Sequence, residues 1–179
     1  MTGLKQIYTD QIRPQLKNEL KLDNIFRVPV LKKIVINVGV GEAVTNKNAI
    51  TAVIEQLTKI TGQKPIVTKA KKAEAGFKIR KGFPIGVKVT LRNQKMYDFL
   101  EKLVKIVIPR VKDFRGIKLS SVDSAGNLNL GFTEQLIFPE LDFDSIDKIR
   151  GLQVTLVVDS EKRDWAIEFY KKLGFKFAE

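Results

Sequence analysis

The sequence predicts an α+β fold: one domain over residues 1–179, with a largely antiparallel β-sheet, helices on one side, and a long basic loop at about 70–86. Three observations carry this. Apolar and polar residues alternate with period two in several short runs, and apolar residues recur at helical spacing in several longer ones. The two kinds follow one another as helix, strand, helix, two strands, helix, two strands, helix.

Each element has its own signal. Leu4, Tyr8, Ile12, Leu16 and Leu20 recur every four residues, an amphipathic helix that Pro14 bends or restarts. Ile34, Ile36, Val38 and Val40 alternate with Val35, Asn37 and Gly39, a strand that stops at Gly39-Val40-Gly41. Ala49, Ile50, Val53, Ile54, Leu57 and Ile60 set the apolar face of a helix that Asn46 caps and Gly62 ends. Two strands follow, Ile66 to Ala70 and Val87 to Arg92, the second with Val87, Val89 and Leu91 inward and Lys88, Thr90 and Arg92 outward. Asn93 is placed to cap a helix running to about Ile108, with Pro109 closing it. Leu128 to Phe132 and Leu152 to Val158 are the last strands, and Ser160 opens a final helix that ends at Gly174. One sheet face is left open, bearing Asn37, Gly39, Thr90 and Arg92, with Gln63 and Lys69 near strand ends; it is either a polar RNA platform or a solvated surface.

Composition excludes much. Of 179 residues, 32 are Lys or Arg and 20 are Asp or Glu, a net charge of +12. With neither Cys nor His, the chain has no thiol nucleophile, no histidine base, no disulfide framework and no zinc site built on those ligands. The longest stretch free of charge is Ser124 to Thr133, too short to span a bilayer, so a cytoplasmic protein without a membrane partner is expected. The charge is also uneven. Residues 1–118 carry 25 basic and 9 acidic side chains, a balance of +16, and residues 119–179 carry 7 and 11, a balance of −4. Between Lys64 and Gly82 seven cations face only Glu74, in a segment too broken by Gly and Pro for a helix. That is the footprint of a polyanion-binding surface, and nucleic acid suits a cationic loop better than a membrane, which would call for a basic amphipathic helix.

Several motifs resemble chemistry and fall short of it. Gly39-Val40-Gly41 follows a strand, yet Val44 stands where a dinucleotide fingerprint needs its third glycine, and no P-loop lysine follows. An NADP-dependent reductase is the enzymatic rival this leaves. Lys81-Gly82-Phe83 begins like an RNA-recognition-motif signature, but Pro84 and Ile85 break it. Glu140, Asp142, Asp144 and Asp147 lack the glycine and closing Glu of a calcium loop, and fit a solvated or protein-facing acidic patch. In Lys69 to Gly86, Phe77 and Phe83 are interleaved with cations; the rings either stack on bases or tuck into the core.

Seven blocks in order, Lys33–Ala43, Gly62–Pro65, Ala75–Arg80, Gly82–Gly86, Lys88–Arg92, Pro109–Gly116 and Glu134–Glu140, resemble the family of bacterial large-subunit ribosomal protein five, almost end to end. The resemblance implies a structural protein without catalysis or cofactor, located in the cytoplasmic ribosome. It would bind 5S rRNA and help attach it in the central protuberance, beside 23S rRNA and neighbouring proteins. The implied 5S rRNA face maps onto Asn37, Gly39, Gly41, Gln63, Lys69, Thr90 and Arg92. The implied P-site tRNA loop maps onto Phe77, Lys78, Ile79, Arg80, Lys81 and Phe83. An intersubunit bridge to small-subunit ribosomal protein thirteen would use Arg110, Asp113, Arg115, Asp142 and Asp144. Glu74 at the base of the loop, Ser124-Ala125, and a last strand ending in Val158-Asp159 depart from the family pattern. A general RNA-binding or RNA-chaperone protein without 5S specificity is the alternative reading.

Overall fold

In the computed structural model, which describes residues 3–46, 48–112, 114–143 and 146–178, the predicted order of elements is present in full. Strands β1 (Val30–Gly39), β2 (Ile66–Lys69), β3 (Pro84–Leu91), β4 (Leu128–Phe132) and β5 (Leu152–Asp159) form one sheet in the order β2-β3-β1-β5-β4. The first helix, α1, runs without a break through Leu4–Ile7, Tyr8–Ile12 and Arg13–Glu19, and α2 is Asn48–Thr61. The third, α3, runs through Asn93–Lys102, Leu103–Val107 and Ile108–Arg110, and α4 is Arg163–Lys172. β1 and β2 flank β3, with α2 as the connection between them, a split β-α-β arrangement.

The helix ends follow their sequences in part. The Asn46 side chain accepts from the Asn48 backbone N–H at 3.1 Å, and Gly62 leaves α2 at φ +63°. Gly174, at φ +99°, ends α4: its N–H and that of buried Phe175 donate to the carbonyls of Lys171 and Tyr170, closing a Schellman motif. Asn93 does not cap α3. The N-cap position is Arg92, no side chain bonds there, and Asn93 itself takes a left-handed φ of +54°. Nor does Pro109 close that helix, which continues to Arg110. In both α1 and α3 the segment before the proline, Tyr8–Ile12 or Leu103–Val107, is a π-helical turn. Its wider winding accommodates a residue with no N–H to donate, so neither proline breaks its helix.

The chain divides into two compact units. One comprises the described residues up to Ile34, Leu91–Leu130, and Thr155 onward. Its core is aromatic: Tyr8 stacks on Tyr97 at 6.2 Å and meets Phe169 edge-on at 5.8 Å, and Tyr170 meets Phe175 edge-on at 5.8 Å. The buried hydroxyls are satisfied, Tyr8 donating to the Pro29 carbonyl and Tyr170 to that of Gly126, each at 2.9 Å. The other unit comprises Val35–Thr90 and Gly131–Val154, with Ile36, Val38, Ala49, Val53, Leu57, Ile60, Val87, Val89, Phe138, Leu152 and Val154 buried.

Candidate nucleic-acid interface

The second unit positions most of the expected RNA face. Along β1, Ile36 and Val38 are buried while Asn37 and Gly39 are exposed. β2 and β3 pair antiparallel with Ile66 opposite Lys88 and Thr68 opposite Gly86, and because opposed residues share a face, these four stand with Thr90 on the side away from Val87 and Val89. Two of the positions, Ile66 (69% exposed) and Thr68, were not singled out in the sequence, since a four-residue strand shows too little alternation to tell its faces apart. The Gln63 side-chain amide donates to the Thr90 carbonyl at 3.0 Å, so part of its bonding capacity holds the end of β3. Lys69 lies past a register shift, paired with Pro84 and exposed at the mouth of the loop. Arg92 belongs to the other compact unit and is exposed one residue beyond β3.

The glycines separate into two kinds. A Cβ on Gly86 would come within 2.8 Å of both Thr68 Oγ1 and the Val38 carbonyl oxygen, so the fold itself excludes a side chain there. Gly39 and Gly41 have no such reason: a Cβ at either would meet nothing within 4 Å among the described residues, and neither has a left-handed φ. Their bare backbone leaves a low, open surface that an incoming chain can approach closely.

The basic loop is an arm with two closures. At its root Ala70 N–H donates to the Phe83 carbonyl and Gly82 N–H to that of Ala70, and near its tip Glu74 and Ile79 exchange backbone hydrogen bonds around the turn Ala75–Phe77. Pairing of Lys69 with Pro84 starts β3 three residues earlier than predicted, with the proline as first strand residue, where its missing donor is tolerated. Glu74 is not at the base of the loop but under its tip. The side chains of Lys78, Arg80 and Lys81 are exposed, Phe77 is 75% exposed, and Ile79 and Phe83 are half-buried, so only the first ring is fully offered to a partner.

A family profile described as Ribosomal protein L5 matches residues 24–80, and a second, for the C-terminus of the same ribosomal L5 family, matches residues 84–177. Over 177 residues, 99% of both chains, the sequence is 49% identical to the large ribosomal subunit protein uL5 of Francisella philomiragia and 49% identical to that of Francisella tularensis subsp. novicida. The chain belongs to the ribosomal protein L5 family. It is a ribosomal protein, part of a cytoplasmic ribonucleoprotein that serves translation, and not an enzyme. The resemblance to the bacterial large-subunit ribosomal protein five, read from seven sequence blocks, holds along the whole chain.

In this member of the ribosomal protein L5 family, the turn that follows β1 is held by an ionic cluster that the sequence did not disclose. Arg150, 8% exposed, donates from Nη1 and Nη2 to the two carboxylate oxygens of Asp147 at 2.7 Å each and from Nε to Glu42 Oε1 at 2.8 Å. Lys148 Nζ reaches Glu42 Oε2 at 2.7 Å, and Gln135 accepts from the Arg150 N–H and donates to the Lys148 carbonyl. Hydrogen bonds from Lys148 and then Arg150 hold the Glu42 carboxyl below its ordinary range, and those from Arg150 bring Asp147 down to about 2. Asp147 is thus a partner of Arg150, and no group of three or more metal-ligating side chains stands together among the described residues. Of the expected bridge residues, Arg110, Arg115 and Asp142 are exposed, while Asp113 and Asp144 lie outside the described residues.

Proposed function

We propose that this ribosomal protein binds 5S rRNA through the open sheet face and helps fix it in the large subunit. Asn37, Thr68, Lys88 and Thr90 supply hydrogen bonds and charge, and Gly39 and Gly41 let the RNA backbone approach. The observation that carries the proposal is that exposed Gly39 and Gly41 have neither a steric nor a conformational reason to be glycine, beside a polar face carrying a lysine. A side-chain-free surface ringed by donors suits the wide, shallow minor groove and the irregular loops by which RNA is recognised. The arm carrying Phe77, Lys78, Arg80 and Lys81 is proposed to reach the P-site tRNA, with cations on phosphates and the exposed ring on a sugar or base. Exposed Arg110, Arg115 and Asp142 are proposed to meet small-subunit ribosomal protein thirteen by charge complementarity.

The test is the affinity of the purified protein for 5S rRNA against a length-matched control RNA over a range of salt concentrations, with Asn37→Ala alongside. A preference for 5S rRNA that survives high salt and shrinks in Asn37→Ala is the expected result. Equal affinities that fall together with salt mean that net charge alone drives binding, as in a general RNA-binding protein.

A further inference from the structure

We propose that the Phe26 ring, with Arg13 over it and Arg27 in the same groove, is a stacking platform for one unpaired RNA base, a further RNA contact distinct from the sheet face and the arm. The inference rests on the reading of the protein as an RNA binder, but on different residues, all within the first compact unit. Phe26 is 79% exposed, so the core makes no use of its ring. The backbone that carries it is tied down. It sits in the single turn Ile25–Arg27, where the Asn24 side chain accepts from the Phe26 N–H at 2.9 Å and the Asn24 carbonyl accepts from the Arg27 N–H at 3.1 Å.

One guanidinium lies over it. The Arg13 guanidinium lies 5.4 Å from the ring centroid, and its Nε is shielded from solvent with no hydrogen-bond partner among the described residues. Arg27 stands 5.8 Å and Lys162 5.1 Å from the ring of Trp165, the chain's single tryptophan. Between Arg13, Phe26, Arg27, Lys32, Asp159 and Glu161 runs a groove of about 290 Å³, close to the lower end of the range for small-ligand sites, about 300 Å³. Arg27 pairs with Glu161 at 2.6 Å and Lys32 with Asp159 at 2.9 Å. The Arg27 pair is bidentate, its Nε also reaching Glu161 Oε1 at 2.8 Å; both pairs are exposed and screened by salt, and with Arg13, Arg27 and Lys32 against Asp159 and Glu161 the groove keeps one net positive charge for a phosphate. An exposed phenyl face with a guanidinium over it and further cations along the same groove is the arrangement by which proteins take up single-stranded nucleic acid irrespective of sequence. An acidic peptide would use the cations and leave the ring without a partner.

The experiment uses the full chain and ten-nucleotide adenylate and uridylate single strands carrying a fluorophore. Anisotropy reads binding and Trp165 emission reports the site, with a duplex of equal length and a decaglutamate peptide as controls. The expected result is a change in Trp165 emission on binding of the single strands. Phe26→Ala should weaken that binding roughly five- to hundred-fold, as base-aromatic stacking implies, and Phe26→Tyr should restore it. An unchanged midpoint in Phe26→Ala overturns the proposal, and decaglutamate binding as tightly as the oligonucleotides reassigns the patch to a protein partner. Titrating Phe26→Ala with 5S rRNA and its length-matched control separates the two readings: the oligonucleotides decide the platform, and the 5S preference tests the sheet face.

Discussion

The Arg150 guanidinium donates through Nε to Glu42 Oε1 at 2.8 Å, joining the turn after β1 to the segment before β5 across 108 residues of sequence. Because Arg150 also holds both Asp147 oxygens, its removal leaves two carboxylates without their shared cation. Breaking a buried pair costs about 3–5 kcal/mol, and partial exposure of both carboxylates reduces this, so Arg150→Met should lower unfolding free energy by about 2 kcal/mol with little change in the urea m-value. Equilibrium urea denaturation followed by circular dichroism checks this.

The same cluster sets a pH dependence. Asp147 is depressed to about 2 and Glu42 is also lowered, so the folded state binds fewer protons than the unfolded one in mild acid. Their contribution is fully present above the ordinary carboxylate range and is lost as pH falls from about 4 towards 2. With no histidine in the chain, no side chain has an ordinary pKa between pH 5 and 8. Stability measured by denaturation at successive pH values should therefore be flat over that interval and fall steeply below about pH 4, with a shallower fall in Asp147→Asn.

Two glycines of the open face should behave in opposite ways. Gly86→Ala forces a methyl to within 2.8 Å of Thr68 Oγ1 and the Val38 carbonyl and should destabilise by about 1–3 kcal/mol. Gly39→Ala meets open space and should change stability by no more than about 0.5 kcal/mol, while weakening 5S rRNA binding roughly tenfold, or about 1.4 kcal/mol. Thermal melts paired with RNA titrations separate the two effects.

Neutralising Lys78, Arg80 and Lys81 together to Gln should leave 5S rRNA affinity within about twofold while reducing tRNA affinity. It should lower the slope of log affinity against log salt for tRNA by about 2, since each phosphate contact contributes about 0.7–0.9. A large loss of 5S rRNA affinity instead would place the 5S site on the arm. Filter binding at several salt concentrations provides both readouts.

What was legible in the sequence follows the range of the forces involved. The order of all nine elements is local information, carried by the spacing of residues such as Ile50, Val53 and Leu57 or Val87, Val89 and Leu91, and it was read correctly. The outward sides of Asn37, Lys88 and Thr90 followed from strand alternation alone. The fates of Pro14 and Pro109 did not, because a π-helical turn is a backbone response with no residue signature. Arg150 resembled any other surface cation, since its partner Glu42 is brought near only by the folded sheet. Phe26 has no neighbouring pattern that would set it apart from a core residue, and only the structure shows its ring to be exposed.

The two closures of the basic arm bear on the thermodynamics of its binding. Ala70 paired with Phe83 and Glu74 with Ile79 mean that the free chain has already given up part of the conformational entropy a loose loop would lose on contact, about 1–2 kcal/mol per residue fixed. An arm built in advance docks rather than folds, so Lys78, Arg80 and Lys81 would meet the tRNA proposed as their partner at little ordering cost. The amide protons of Glu74, Ile79 and Gly82 should accordingly exchange slowly in the protein without RNA, and engagement of the arm should carry only a small heat-capacity change.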